Sequence, residues 1–166
     1  MDTRLHRLCR HVHAAYWGAR RQLPPDALKR MGEAVAAAEQ GHLAEICVVV
    51  EPSLTPLQLL QQVSARERAL EVFAQSRSWD TEHNSGVLVY VLLGDRAVEI
   101  ISDRGLKSVA QADWDAIVAR FRSAFASSDA GNGCAQALAE LGALLRRHLP
   151  SAGPNPDELP DPVRVL

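Results

Sequence analysis

The sequence predicts an α/β fold, an α/β/α sandwich in which helices cover both faces of a small mixed sheet. Residues 86–93 are an uninterrupted apolar run, and a strand that is apolar on both sides must lie between two layers. Residues 43–51 are rich in β-branched side chains, as strands are. The remaining segments carry apolar residues at three- and four-residue intervals, the spacing of helices.

The predicted elements follow the order α-α-β-α-β-β-α-α. A first helix over residues 3–17 is amphipathic, and we expect its basic residues on an outer, solvated face. A second helix begins at Pro24-Pro25 and ends near Gly41. After the strand at 43–51, Thr55-Pro56 starts one long helix with Leu59, Val63, Leu70 and Phe73 near one face.

The strand at 86–93 turns through Gly94-Asp95 into a partner strand at 96–102, which predicts a β-hairpin. The helix between 43–51 and 86–93 is a crossover connection, so these two strands should be parallel. Two further helices follow, one from Asp113 and one carrying Leu138 to Leu149.

A chain of 166 residues is about one domain. We expect a single domain at 1–150, with 1–20 as an N-terminal helical extension. Residues 151–166 form a Pro-rich tail outside the core. Within it, Leu159, Val163, Val165 and Leu166 are predicted partner-binding residues that add a strand to a partner. The alternative is that the tail packs back on the body.

The net charge of −2 predicts no nucleic-acid binding. The three cysteines have no zinc-site spacing and are expected to be free thiols in a reducing compartment. The first residues are charged where a secretory signal would be apolar, and no apolar run reaches about 20 residues. We therefore expect a cytoplasmic protein without direct membrane insertion.

Polar residues from three segments should meet at one end of the predicted sheet. Carboxylate and amide oxygens there suit Ca²⁺ or Mg²⁺ better than zinc. The predicted metal ligands are Glu45, Asp80, Glu82, Asn84 and Asp103, with Arg104 beside them. The opposite end offers chiefly Glu51 and Asp95. As an alternative, Asp80, Asn84 and Asp103 only cap turns and helices, and Glu82 and His83 are solvated loop residues.

One ordered set of motifs resembles the TPM domain family. It begins at Trp79, continues through a polar loop to Asn84 and the apolar strand, and ends with Asp95-Arg96 and a second strand. Glu45-Ile46 and Asp103-Arg104-Gly105 also fit, as does the C-terminal Asn-Pro and Glu-Leu-Pro-Asp pattern of the small soluble proteobacterial branch. The likeness covers about residues 23–149.

The resemblance implies a non-enzymatic interaction module near the cell envelope, with a LemA-like or membrane-anchored TPM protein as partner. Some members of the family are phosphatases, which implies the alternative of a weak or narrow divalent-metal-dependent phosphatase. Arg20, Arg21 and Gln22 stand where many members have a calcium-associated aspartate. If Arg20 or Arg21 takes the place of the cation, the carboxylates form an ion-pair network and partner binding is favoured.

Overall fold

The computed structural model describes residues 4–18, 23–76, 81, 83–151 and 163–166. Within these residues the helices are α1 Arg4–His13, continued by a π-helical turn Ala14–Gly18, α2 Pro25–Ala38, α3 Pro56–Leu60, α4 Ala65–Gln75, α5 Gln111–Ala126 and α6 Ala130–His148. The strands are β1 Glu45–Glu51, β2 Gly86–Leu92, β3 Ala97–Ser102 and β4 Val163–Val165, and a 3₁₀ turn spans Arg104–Leu106.

The described strands form one mixed sheet in the order β3-β2-β1-β4. Strands β1 and β2 are parallel, with Glu45 opposite Gly86, and β2 and β3 are antiparallel. The predicted parallel pair and the predicted hairpin are both confirmed. The connecting turn is longer than the predicted two residues, because Leu92 pairs with Ala97 and Arg96 adopts a left-handed φ of 52°.

Side chains on the two faces of the sheet form two separate clusters. On one face the sheet packs against α2, α5 and α6, and on the other against α3 and α4. All seven residues of β1 and of β2 are buried. The α/β sandwich is thus confirmed, and the double burial explains why β2 is apolar throughout.

The single long helix predicted after Pro56 is wrong, because the structure has two helices there. The helical conformation is interrupted at residues 61–64, where Gln62 has a left-handed φ of 60°. Ser64 then begins α4 with a capping box: its side chain accepts the Glu67 N–H, and the Glu67 carboxylate accepts the Ser64 N–H. This reciprocal cap satisfies backbone donors that a new helix start leaves open, so it stabilises the break.

Candidate interaction site

The tight turn at residues 93–96, which joins β2 to β3, lies against the carboxyl end of β1. The Gly94 N–H donates to the Pro52 carbonyl at 3.0 Å, and the Leu93 N–H donates to the Glu51 carbonyl at 3.0 Å. These bonds hold the turn against the end of β1 and fix Asp95 beside it. Helix α1 lies over this end of the sheet.

Asp95 receives three basic side chains from α1. Arg7 donates from Nε to Oδ1 at 3.0 Å and from Nη2 to Oδ2 at 2.7 Å. His11 Nε2 lies 3.1 Å from Oδ1, and Arg10 Nη2 lies 3.6 Å from the same oxygen. The bidentate Arg7 contact gives the strongest geometry available to a guanidinium and a carboxylate. We call these four residues the Asp95 clamp.

Two backbone carbonyls extend the Asp95 clamp. Arg7 Nη2 also donates to the Val63 carbonyl at 2.6 Å, in the break between α3 and α4. Arg10 Nε donates to the Gly94 carbonyl at 3.2 Å. The break between α3 and α4 and the hairpin turn therefore both supply acceptors for α1. This end of the sheet presents oxygen atoms, so it binds the basic face of the helix.

His11 is fully buried and its ring is fixed on both sides. The Leu54 N–H donates to Nδ1 at 3.1 Å, which leaves Nε2 to carry the ring proton donated to Asp95. A Cβ atom at Gly94 would lie 2.5 Å from Nδ1, so only glycine fits beneath the ring.

Ser53, His11 and Asp95 have the residue types of a hydrolase triad, and the histidine ring lies between the serine and the aspartate. The Ser53 Oγ lies 3.2 Å from His11 Nδ1. However, that nitrogen already accepts the Leu54 N–H, and Ser53 Oγ itself donates to the Leu54 carbonyl at 2.9 Å. A general base needs a free lone pair directed at its nucleophile. This histidine therefore acts as a structural link between α1 and the body.

The pKa of Asp95 lies well below the ordinary value for an aspartate. Burial of the carboxyl group would raise the pKa, but hydrogen bonds from His11 and Arg7 to the ionised form outweigh burial. Asp95 is therefore ionised over the whole physiological range. Its charge holds the basic side chains of α1 in place.

The predicted orientation of α1 is wrong: the basic face that contains Arg7, Arg10 and His11 is turned to the body, and the apolar residues face solvent. Arg7, Arg10 and His11 point at the sheet end. The exposed residues are Leu5 (66%), Leu8 (44%), Val12 (51%) and Tyr16 (78%). We call these four residues the α1 apolar stripe. The reversal follows from the acceptors at the sheet end, which leave the apolar side of the helix outward.

A shallow groove of about 400 Å³ runs along this stripe, lined by Leu8, Cys9, Val12, His13 and Tyr16. Cys9 is exposed, whereas Cys47 and Cys134 are buried. Burial raises the pKa of the Cys134 thiol to about 12. Of the three cysteines, Cys9 alone is therefore open to reagents, and it lies in the groove.

A buried carboxylate, that of Glu51, lies at the same end of the sheet. The Glu51 carboxylate accepts the Tyr90 hydroxyl at 2.6 Å and the Arg68 Nε at 2.9 Å. The pKa of Tyr90 is raised, first by burial and then by its hydrogen bond to Glu51. Arg68 belongs to α4, so the contact fixes that helix to the sheet.

The opposite end of the sheet holds three of the five predicted metal ligands. Glu45 is buried at the start of β1, whereas Asn84 and Asp103 are half-buried. Arg104 donates from Nε and Nη2 to the Asn84 Oδ1 at 2.9 and 2.7 Å, and its own N–H donates to Asp103 Oδ1 at 2.6 Å. Asn84, Asp103 and Arg104 thus lie together at this end of the sheet.

The other predicted residues of this end, Asp80 and Glu82, lie outside the described residues, as do Arg20 and Arg21. Within the described part of the chain, no group of three or more His, Cys, Asp or Glu side chains is arranged to hold a metal ion. The Arg104 guanidinium contacts one predicted ligand, the side chain of Asn84. The metal site stays a prediction.

A family model described as the TPM domain matches residues 20–144. The chain belongs to the TPM domain family. The match covers most of the sandwich, including both ends of the sheet, and begins after α1. The Asp95 clamp thus joins a TPM domain to a helix that lies outside the matched residues.

The fold of this TPM domain is also that of a solved structure. The NMR structure of BA42 protein from the psychrophilic bacterium Bizionia argentinensis is similar with a TM-score of 0.75 and 24% sequence identity. The similarity covers 87% of this chain and 95% of that one. No curated protein matches. None of the helices in the described ranges has both the length and the apolar character that a membrane crossing requires.

Sequence reasoning placed Asp95 and Glu51 at one sheet end but missed that Glu51 is buried, that Asp95 is half-buried and that both are paired. One signal was available: Arg7, Arg10 and His11 recur at three- and four-residue spacing, so they share one face of α1. A face of that kind can meet a buried carboxylate as readily as it meets water. The sequence does not contain the information that chooses between these two.

Proposed function

We propose that this TPM domain is a non-enzymatic interaction module that acts at the cell envelope from the cytoplasmic side. In this proposal the α1 apolar stripe is the surface that binds the partner. The observation that carries it is the reversed orientation of α1, whose basic face is fixed to Asp95 while its apolar face is exposed. Single exposed apolar residues are ordinary on protein surfaces, but a contiguous exposed stripe is typical of an interaction site.

The Asp95 clamp makes the stripe a preorganised surface. Contacts from Arg7, Arg10 and His11 hold α1 in one orientation before any partner binds. A partner therefore loses little free energy to the ordering of this helix. The large aliphatic and aromatic side chains of the stripe can then enter the apolar core of an interface.

The charge of α1 defines the chemistry of the partner. The helix contains three arginines and three histidines and no acidic residue, and Arg4, His6 and His13 are exposed beside the stripe. A complementary partner presents an apolar helix face bordered by acidic residues. Among the proteins that the family resemblance implies, we propose a LemA-like or membrane-anchored TPM protein.

Cys9 allows a direct test of this proposal, because it is the exposed cysteine and lies in the groove of the stripe. An environment-sensitive fluorophore on Cys9 is mixed with lipid vesicles that carry the membrane-anchored partner. The expected result is a saturable blue shift of emission. Leu8→Gln and Val12→Gln should each weaken binding about 10-fold or more, since each removes apolar contact worth more than about 1 kcal/mol.

Leu70→Gln is the matched control, because Leu70 is also an exposed leucine on a helix, 48% exposed on α4. It should leave binding unchanged. Vesicles of the same lipid composition but without the partner are the second control. A shift with these plain vesicles, or equal loss of binding in Leu70→Gln, would exclude the stripe as a protein-docking surface.

A divalent-cation site at the other end of the sheet is a separate proposal. Its ligands are those that the sequence predicts: Glu45, Asp80, Glu82, Asn84 and Asp103. The support is the meeting of Asn84, Asp103 and Arg104 within hydrogen-bond distance. A metal-dependent phosphatase, the alternative function, needs such a cation to bind and to stabilise the transferred phosphoryl group.

A further inference from the structure

The outer edge of β1, the edge that faces away from β2, is closed by groups from distant parts of the chain. Near the start of the strand, the Ile46 N–H donates to Glu39 Oε1 at 2.8 Å. Farther along, the last residues of the chain pair with residues 48–50 as the parallel strand β4. This closure concerns a different surface from the α1 apolar stripe and does not depend on it.

Successive residues of β1 direct their backbone groups to opposite sides. The Glu51 carbonyl accepts from Leu93, just after β2, whereas the Val50 carbonyl accepts the Leu166 N–H at 3.0 Å. The Ile46 N–H, at an even position like Val50, also points outward to Glu39. This alternation assigns the odd-numbered residues of β1 to β2 and the even-numbered residues 48 and 50 to β4.

The two strands that flank β1 differ in burial and in the number of residues that pair with it. The β1–β2 ladder has seven residue pairs, and every residue of both strands is buried. The β4 ladder has three pairs. Val163 and Arg164 are half-buried, whereas Val165 is 43% and Leu166 is 54% exposed. A short edge strand of this kind opens at a small fraction of the free energy needed to unfold the domain.

Strand β1, which pairs with β4, does not open as easily as β4. Val48 and Val50 are fully buried members of the main core, and Val163 packs against the same core. When β4 leaves, the N–H and C=O groups of two residues lose their partners at the edge of an apolar surface. Unpaired edges of this kind pair readily with another extended segment.

We propose that the outer edge of β1 is a peptide-binding site that the C-terminal tail occupies in cis. Its ligand is an extended segment of a partner protein that lies parallel to β1. Backbone hydrogen bonds to residues 48 and 50 provide the affinity, and β-branched apolar side chains at alternate positions provide the selectivity. Val163 and Val165 show that chemistry, because they are the alternate residues of the cis ligand.

The C-terminal tail competes with a partner segment for the edge of β1. It belongs to the same chain as β1, so it acts as an intramolecular ligand, with an effective concentration on the order of millimolar. A partner segment of equal intrinsic affinity must therefore be brought close to compete. Removal of the tail should expose the site to dilute peptide.

The first experiment uses a chain that ends at Pro162 and a free peptide with the sequence of residues 159–166. Saturable binding is expected, at least about 10-fold tighter than to the full-length chain, because the cis competitor is gone. The amide signals of Val48 and Val50 should return to their full-length positions as the peptide binds. A peptide with Val163→Asp and Val165→Asp is the matched control and should not bind.

Failure of the folded, truncated chain to bind the peptide, or equal binding of the control peptide, would overturn the proposal. A full-length dimer that truncation abolishes would assign the site to the tail of a second copy, which overturns the proposed partner segment.

A second experiment covers the case in which the truncated chain does not fold. Amide hydrogen exchange of the full-length chain compares residues 48 and 50, which face β4, with 49 and 51, which face β2. We expect the even pair to exchange at least about 100-fold faster, because release of β4 opens them without global unfolding. If all four exchange at one rate, β4 is a permanent strand of the sheet and the proposal is wrong.

Discussion

The two ends of the sheet use carboxylates in opposite ways. At the carboxyl end, Glu51 and Asp95 are buried or nearly so, and each is paired with arginine from a helix. At the amino end, Asn84 and Asp103 are half-buried and share the exposed Arg104. The aspartate at the carboxyl end is therefore held by arginine from a helix, whereas the aspartate at the amino end is partly accessible; Glu45, also at the amino end, is buried.

This difference shows why charge at a strand end does not by itself identify a site. The carboxyl ends of parallel strands are the usual place for ligands in open α/β sheets. Here α1 occupies that position and uses Arg7, Arg10 and His11 in the way that a ligand would. The covered end thus presents a new surface, the α1 apolar stripe, in place of a cleft.

Loss of the Glu51 carboxylate should have the largest effect on stability. Glu51→Ala removes the acceptor that the Arg68 Nε and the buried Tyr90 hydroxyl share, so we expect a loss of about 3–5 kcal/mol in the free energy of unfolding. Urea denaturation measures it. Glu71→Ala is the matched control, because Glu71 contacts the same Arg68 from a half-exposed position, and its effect should stay within about 1 kcal/mol. Equal losses in the free energy of unfolding would mean that the buried Glu51 contributes no more to stability than the exposed Glu71.

Asp95→Asn should release α1 while the sandwich remains folded. The variant removes the charge that holds Arg7 and His11, and we expect the docking of α1 to weaken by about 2–3 kcal/mol. Trypsin should then cleave after Arg7 and Arg10 at least about 30-fold faster. Asp115→Asn, at an exposed position on α5, is the control. An unchanged cleavage rate would show that the Asp95 clamp does not hold the helix.

The pKa of Asp95 adds a pH dependence to this docking. Because the folded-state pKa is lowered, the contribution of Asp95 is present above the unfolded value of about 3.9. It is lost as the pH falls through the folded-state pKa. We expect α1 to remain protected from cleavage at pH 5 in the native chain, which an acid-active protease such as cathepsin D can test.

His42 should give a smaller pH dependence at the amino end. Its Nε2 donates to the Ala38 carbonyl at 2.7 Å and its Nδ1 accepts the Ala44 N–H at 3.1 Å. Burial, the largest cause, and the positive charge of Arg146 both contribute to a lowered pKa. The unfolded chain therefore binds a proton below about pH 6.5 that the folded chain does not bind, and stability falls by up to about 1.4 kcal/mol per pH unit.

Urea denaturation at pH 7.5, 6.5 and 5.5 checks this prediction. His42→Gln should lower stability at pH 7.5 by about 1–3 kcal/mol, because two backbone groups lose their buried partner. Its dependence on pH below 6.5 should be flatter than that of the native chain. His13→Gln, on the exposed side of α1, is the control and should keep the native slope. If His42→Gln also keeps that slope, His42 is not the group that titrates.

The smallest effect on stability is expected at the predicted metal end. Asp103→Asn should change the free energy of unfolding by less than about 1 kcal/mol, since Asp103 is half-exposed and caps a single turn. Its effect on calcium binding decides whether the accessible end is a site. Calorimetry should show a dissociation constant of roughly 0.1–1 mM in the native chain and weaker binding in the variant. Equal calcium binding by both chains, or an ion bound beside Asp95, would show that the placement is wrong.

The sequence by itself determined the architecture of the sandwich. The apolar run of β2, the β-branched run of β1 and the helical spacing of the other segments are local patterns, and each matches the buried faces of one element. The parallel pair and the hairpin followed, because chain connectivity permits few arrangements of these elements. The motif around Trp79 and Asn84 likewise indicated the family that the match over residues 20–144 confirms.

The tertiary structure alone decided the orientation of α1, the placement of the tail and the role of each carboxylate. Amphipathic spacing shows that a helix has two faces, but the partner surface determines which face turns inward. Here Asp95 and the Val63 and Gly94 carbonyls are acceptors that the donor side chains of α1 satisfy and that apolar side chains could not. In the same way, β4 depends on the unpaired edge of β1, which the assembled sheet creates.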